Sequence, residues 1–136
     1  MKDIFNKQEQ EGRAKYISLI AESMTDDDIE ILTYLYKICR QQNRNNNKYV
    51  INAEKYTSIQ MLMDKTHKTR YNVWHVISRL ELSRLVDKHR CGTIKRRGSS
   101  MAYTITAEGV DALNHLLNDK LFPRYKTKID TILEGN

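Results

Sequence analysis

The stretch Thr57–Val86 reads TSIQMLMDKTHKTRYNVWHVISRLELSRLV and decides the fold that we expect. Beyond residue 68 its apolar residues recur at i, i+3, i+4 and i+7, the spacing of a helix with one buried face. These residues are Val73, Val76, Ile77 and Leu80. The pattern predicts a helix over Lys68–Leu82. A compact helix over Thr57–Asp64 is expected before it, separated from it by a brief polar turn. Thr57 or Ser58 would cap this first helix.

The other faces of the second of these helices carry side chains that suit contact with a partner. They comprise Thr69, Arg70, Tyr71, Asn72, Trp74, His75, Ser78 and Arg79. This composition is unusual for a face that meets only water. Trp74 fits a buried position equally well, because a helix packed on two sides buries more than one stripe.

Positive charge is concentrated in the same region. Residues 65–100 hold ten lysines and arginines against two acids, a net charge of +8, whereas the whole chain is +6 and the other residues therefore sum to −2. Neutralisation of phosphates supplies most of the non-specific affinity for nucleic acids. A basic block that also shows helical patterning therefore predicts a folded surface that binds a polyanion.

Two helices are expected before this region. The first, over Ile4–Met24, follows from apolar residues at helical spacing. The second begins at Thr25, because a Thr-x-x-Asp sequence approximates a capping box and three consecutive aspartates place negative charge at the positive end of the helix. It should fade by Gln42, to be followed by a polar loop over Asn43–Lys48 and a short strand over Tyr49–Ile51.

A β-hairpin is expected after the region. The patterning predicts strands over Leu85–Cys91 and Met101–Thr106, with glycines in the connecting loop that permit a turn. The loop also projects a triple positive charge, formed by Lys95, Arg96 and Arg97.

Two further helices complete the predicted chain. One starts at Thr106 or Ala107 and presents a single apolar face, formed by Val110, Leu113 and Leu117. Pro123 interrupts the continuity of the backbone. A last short helix then carries Ile129, Ile132 and Leu133.

The order of these elements is that of a winged helix-turn-helix, in which the second helix of the pair enters the major groove of DNA and the hairpin forms a wing. The expected fold class is therefore mainly α with a small β-hairpin, an α+β arrangement. Asn72 and Arg70 could make the paired hydrogen bonds that read base edges. The basic tip of the hairpin would contact phosphates or enter a minor groove.

Two stretches resemble the MarR (multiple antibiotic resistance regulator) family of winged-helix transcription regulators. The first is VWHVISRLELSRLV over Val73–Val86, and the second, after the basic hairpin, is YTITAEGVDAL over Tyr103–Leu113. The family pattern is Leu-Glu-x-x-Gly-Leu-Val, a charged wing and Leu-Thr-x-x-Gly. Arg84 stands here in place of the first glycine, whereas Gly109 matches the second. A resemblance to related plasmid and archaeal winged-helix proteins remains an open alternative to this family.

The resemblance implies a homodimer built by the first and last helices. Residues 1–136 would form a single winged-helix domain, with dimerisation helices over 1–24 and 107–136. The DNA-binding core would span 25–106, including a wing over 85–106. Members of the family often release DNA when a small molecule enters between these two parts, so a small-molecule effector is possible here.

Other chemistries lack their sequence signals. The chain has no glycine-rich phosphate loop, no paired histidine spacing and no nucleophile elbow, so we expect no enzyme activity, no cofactor and no metal. Cys39 and Cys91 show no paired spacing and suit a reducing compartment. No apolar run reaches the length of a membrane span, and we expect a cytoplasmic protein associated with the nucleoid or a plasmid.

The leading hypothesis is a sequence-specific, dimeric transcription regulator that binds double-stranded DNA. The expected DNA contacts are Lys68, Thr69, Arg70, Tyr71, Asn72, His75 and Arg79 on the recognition helix, with Lys95, Arg96 and Arg97 on the wing. One alternative is a DNA-segregation adaptor that coats repeated centromere sites and recruits a partner protein. A second alternative is a protein-interaction module whose winged helix no longer binds DNA.

Overall fold

The computed structural model describes residues 7–45, 57–92, 99–118 and 123–135. These residues form helices around one two-stranded antiparallel sheet, which confirms a mainly helical α+β chain. In chain order the elements are α1 (Lys7–Ser23), α2 (Asp26–Asn45), α3 (Ile59–Thr66), α4 (Arg70–Leu82), β1 (Val86–Gly92), β2 (Ser99–Ile105), α5 (Ala107–Asn118) and α6 (Pro123–Glu134). α1 packs against α5, and α2 packs against α4 and α6.

The start of α2 is the predicted capping box. The Asp28 backbone N–H donates to the Thr25 hydroxyl at 3.2 Å, and the Thr25 N–H donates to the Asp28 carboxylate at 3.1 Å. The predicted end was wrong, because the helix continues to Asn45 through residues expected to begin a loop. No glycine or proline interrupts this stretch, so nothing local stops the helix at Gln42. The predicted strand over Tyr49–Ile51 lies outside the described residues.

Caps at both helices set the turn between α3 and α4. The Ser58 hydroxyl accepts from the Met61 N–H at 3.1 Å, and α3 ends at His67, whose left-handed backbone has a φ of 59°. The Thr69 hydroxyl accepts from the Asn72 N–H at 3.2 Å and caps α4. The predicted start of this helix at Lys68 was therefore two residues too early, because the capping geometry holds Thr69 in an extended conformation.

The core forms where the apolar stripe of α4 meets α2, α3 and β1. All four residues of the stripe are buried, as predicted: Val73, Val76, Ile77 and Leu80. The predicted face of α5 was wrong in part, because Val110 and Leu117 are only half-buried while Ala112 and Leu116 are buried. α1 covers one side of α5 and α6 covers another, so the buried face of α5 is rotated about the helix axis relative to the predicted face.

The chain leaves α4 through a Schellman motif. The Leu85 N–H donates to the Leu80 carbonyl at 2.9 Å, and the Arg84 N–H donates to the Glu81 carbonyl at 3.0 Å. Arg84 occupies the left-handed position of the motif with a φ of 64°, where glycine is usual. The buried side chains of Leu80 and Leu85 make the hydrophobic pair that accompanies this motif.

The hairpin is anchored on both sides of the helix pair. β1 and β2 pair with Val86 opposite Ile105, so the strands are shifted by one or two residues from the predicted bounds. The Tyr103 N–H donates to the Thr57 carbonyl at 2.9 Å, which ties the hairpin to the residue just before the cap of α3. Thr106 caps α5 by accepting from the Gly109 N–H at 3.0 Å, and is therefore not part of the strand.

Candidate nucleic-acid interface

The face of α4 opposite the core is exposed and carries large aromatic and apolar side chains. Tyr71, Trp74 and Leu82 have exposed fractions of 68%, 51% and 84%. Helical geometry places His75 and Ser78 on the same outward face, because they follow Tyr71 by four and seven residues. The burial of Trp74, which the sequence left open, is thereby settled: its side chain lies on the outside.

Three rings on this face contact one another and form what we call the aromatic cluster: Tyr71, Trp74 and His75. The Tyr71 and His75 rings meet edge to face, with centroids 4.3 Å apart and an interplanar angle of 76°. The Trp74 and His75 rings are 5.4 Å apart at 68°. Both geometries are favourable for aromatic pairs, so the half-buried His75 ring helps to hold its two neighbours in place.

Arg70 and Asn72 are exposed beside the aromatic cluster, as the prediction of base contacts requires. The Arg70 guanidinium donates to the Gln60 side-chain oxygen at 3.1 Å, and the Gln60 amide donates to the Asp64 carboxylate at 3.0 Å. Arg70 therefore lies toward α3. The Asn72 side chain makes no hydrogen bond within the described parts of the chain.

Lys68 lies in the turn and is engaged by acids of α2. Its ammonium is 2.7 Å from the Asp27 carboxylate and 3.4 Å from that of Glu30, and only 19% of its side chain is exposed. The hydrogen bond to Asp27 holds the pKa of Lys68 above its ordinary value, against an opposing effect of burial. Glu30 also lies 3.7 Å from Lys128, so its carboxylate links the turn to α6.

Arg79 is likewise paired with α2. Its guanidinium donates to the Asp28 carboxylate at 2.5 Å, although about half of the arginine side chain remains exposed. Asp28 is buried and also caps its own helix, so a single carboxylate holds the start of α2 and the side of α4 together. Nine residues separate Arg70 from Arg79, which places them on opposite sides of α4.

On the hairpin, two described polar side chains contact α4 or the neighbouring strand. Lys88 lies 3.9 Å from Glu81, and the His89 ring lies 2.8 Å from the Thr104 hydroxyl. The predicted basic tip, Lys95, Arg96 and Arg97, lies outside the described residues.

The structure thus leaves Arg70, Tyr71 and Asn72 exposed and His75 half-buried along α4, and it assigns other tasks to three predicted residues. Lys68 and Arg79 are held by acids of α2, and the Thr69 hydroxyl caps α4. The predicted site lacked Trp74, although its helical spacing from Tyr71 was a usable signal. It also lacked Gln60, whose contact with Arg70 depends on how α3 packs on α4.

A cleft of about 360 Å³ lies beside this surface, between α1, α2 and α4. Its lining combines apolar side chains with the Asp28–Arg79 pair and includes Met24, Leu80 and Leu85. Within the described ranges no group of three or more histidine, cysteine, aspartate or glutamate side chains is arranged to hold a metal ion. No helix in those ranges combines the length and apolar character needed to cross a membrane.

Comparison of the chain with family models, with curated proteins and with solved structures gives no match. The functional inference therefore depends on the fold and on the chemistry of the exposed face of α4.

Proposed function

We propose that the chain is a winged helix-turn-helix protein that binds double-stranded DNA sequence-specifically, as a homodimer, and regulates transcription. α4 is the recognition helix, and the hairpin is the wing. The observation that carries this proposal is the outward face of α4, which exposes the rings of Tyr71 and Trp74 and has an arginine on each side.

The geometry of α4 suits a major groove, which is about 12 Å wide and admits one helix. Base edges lie at the centre of the groove and phosphates lie along its rims. On α4 the rings of the aromatic cluster lie between Arg70 and Arg79, which are on opposite flanks of the helix. A helix of this kind can present its rings to bases while its arginines approach the two phosphate backbones.

The charge of the region supports a polyanionic partner. Residues 65–100 carry a net charge of +8, whereas the rest of the chain is slightly acidic. Lys68 and Arg79 are paired with acids of α2, yet they still contribute to the positive electrostatic potential of this region, because about half of the Arg79 side chain is exposed to solvent. Contacts with phosphates then give affinity, and contacts with base edges give specificity.

Dimerisation is proposed through the terminal helices. Tyr16 and Leu19 of α1 are large apolar residues with substantial exposure, so α1 retains apolar surface after packing on α5. A two-fold axis through such a contact would give two copies of α4 and hence an inverted-repeat DNA site. The spacing of the half-sites would be about 34 Å, one turn of DNA, or a multiple of it.

The test is selection of bound duplexes from a random pool, followed by sequencing. We expect enrichment of an inverted repeat. Arg70→Ala should weaken binding to all duplexes about equally and lower the log-log slope of affinity against salt by about 1 per protomer, because Arg70 lies on the flank that faces phosphates. Lys126→Ala is the matched control, because it removes an exposed cation from α6 and should leave both the affinity and this slope unchanged. A pool that emerges unenriched would contradict the proposal.

A further inference from the structure

We infer that the aromatic cluster of α4 recognises thymine through its C5-methyl group, so that the DNA site contains thymines at the centre of each half-site. This inference rests on the proposed DNA binding and adds the chemical feature that is read. Tyr71 and Trp74 are the specificity-determining residues.

The first support is the apolar character of the outward face. Tyr71 and Trp74 direct large ring surfaces away from the core. Glu81, which follows Trp74 by seven residues, lies at the edge of this face, 3.9 Å from Lys88. Among the base edges in the major groove, the thymine methyl is the apolar feature, and apolar side chains contact it. Burying a methyl group against a ring gains hydrophobic free energy that a hydrogen-bonding base edge does not offer.

The second support is the engagement of the residues that usually read bases by hydrogen bonds. The guanidinium of Arg70 is turned toward Gln60, and that of Arg79 is paired with Asp28. Lys68 is mostly covered and bound to two carboxylates. Asn72 is the other residue of this kind on α4. It follows Tyr71 directly, about 100° further around the helix, and therefore lies toward the edge of the outward face. The centre of the helix surface is therefore left to the rings.

The third support is order within the cluster. The His75 ring meets both neighbours edge to face, so part of the rotamer freedom of Tyr71 and Trp74 is lost before any partner binds. A surface that is already ordered loses less conformational entropy when it binds a partner. Rings that are held in place can discriminate the presence of one methyl group.

The flanking cations favour DNA over a protein as the occupant of this face. Exposed aromatic residues also occur in protein interfaces, where charged residues are depleted at the centre. Here an arginine lies on each flank of the rings, within a segment that carries a net charge of +8. This charge complements the phosphates that border the base edges on both sides.

The experiment compares two random duplex pools that differ only in thymidine or deoxyuridine, since uracil lacks the methyl group and keeps every hydrogen-bonding atom. We expect the thymidine pool to yield an enriched sequence. Replacing each contacted thymine in that sequence by uracil should weaken binding about fourfold, the equivalent of one buried methyl group. Uracil at thymines outside the half-sites should change nothing.

Protein variants assign the effect to the cluster. Trp74→Ala and Tyr71→Ala should each reduce the preference for thymine over uracil, whereas Tyr71→Phe should keep it because the ring remains. Lys126→Ala is the control: it truncates an exposed side chain on α6, away from the outward face of α4, and should leave the preference intact. Circular dichroism melting of each variant checks that it folds.

The outcomes separate this inference from the proposed function. Equal binding of thymine and uracil duplexes, with retained sequence preference, would overturn thymine reading and leave DNA binding standing. Full DNA binding by Trp74→Ala and Tyr71→Ala would also overturn it, and would assign the cluster to a protein partner. Failure of the wild-type protein to enrich any duplex would overturn the proposed function itself.

Discussion

Gly109 should tolerate no side chain, because α5 begins directly on the backbone that follows α4. A Cβ atom at this position would lie 2.4 Å from the Leu85 carbonyl oxygen and 2.6 Å from the Ile105 Cγ1 atom. Ordinary contacts between non-bonded heavy atoms are about 3.5 to 4.0 Å, so both atoms would be about 1 Å too close. The Leu85 carbonyl cannot easily withdraw, because it accepts the Thr106 N–H at 3.0 Å.

Gly109→Ala should therefore destabilise the chain by about 2 to 3 kcal/mol, the upper part of the range for overpacking a core. For a chain of this length the melting temperature should fall by roughly 10 °C. Thermal and urea unfolding followed by circular dichroism measure both quantities. The loss should appear in the midpoint of the urea transition while its slope stays unchanged.

Gly12→Ala is the matched control. Gly12 lies in α1, and a Cβ atom there would meet nothing within 4 Å. The same substitution should then stabilise the chain by about 1 kcal/mol through helix propensity alone. Opposite signs for the two variants are expected. A Gly109→Ala protein as stable as the wild type would refute the close contact of α5 with the Leu85 carbonyl and the fold built on it.

Three further predictions concern charged residues. Arg84→Gly should raise the free energy of unfolding by about 0.5 to 1 kcal/mol in urea titrations, because it relieves a left-handed backbone in the Schellman motif; an unchanged or lower value would contradict that backbone. Asp28→Ala should cost about 2 to 4 kcal/mol, since it removes the capping box of α2 and leaves Arg79 unpaired; a loss below about 0.5 kcal/mol would show that neither contact matters. The raised pKa of Lys68 predicts stability that is present below its ordinary pKa of 10.5 and is lost as the pH rises through the folded-state pKa. Burial also raises the pKa of Tyr103 above 10.0, so both groups weaken the fold in the same alkaline range. Compared with Tyr103→Phe alone, the double variant Lys68→Met, Tyr103→Phe should show a flatter decline of stability within that alkaline range, and an unaltered decline would refute the assignment to Lys68.

Local patterns predicted the helix pair well, because the signals lie within each element. The buried stripe of α4 follows from residues three and four positions apart, and the capping box of α2 follows from residues three apart. The boundary errors also have local causes. Thr69 marks the start of α4 by its cap, and α2 runs past Gln42 because the sequence contains no residue that breaks it.

The state of the candidate site could not be predicted in the same way. Lys68 and Asp27 are 41 residues apart in sequence, and Arg79 and Asp28 are 51 apart. Their pairing depends on how α2 crosses α4, which no periodicity encodes. The sequence therefore named these cations as expected DNA contacts, but it could not show that Lys68 and Arg79 are paired with carboxylates of α2.

The exposure of Trp74 shows a second limit of the sequence. The helical stripe fixes which residues face the core, yet whether a second face is also covered depends on the neighbouring elements. Among the described residues the side of α4 that carries Trp74 is left uncovered. The exposure of Trp74 is the reason why we propose base contacts by the aromatic rings in place of those expected from Asn72 and Arg70.

The most direct test of the central claim is the salt dependence of binding to the selected duplex, measured by fluorescence anisotropy. If each protomer contacts about four phosphates, a dimer neutralises about eight, and the log-log slope of affinity against salt should be roughly −7. A slope near that value would support a dimer that grips the DNA backbone on both sides of α4. Binding that does not change between about 50 and 200 mM salt would contradict the assignment of the basic region to DNA.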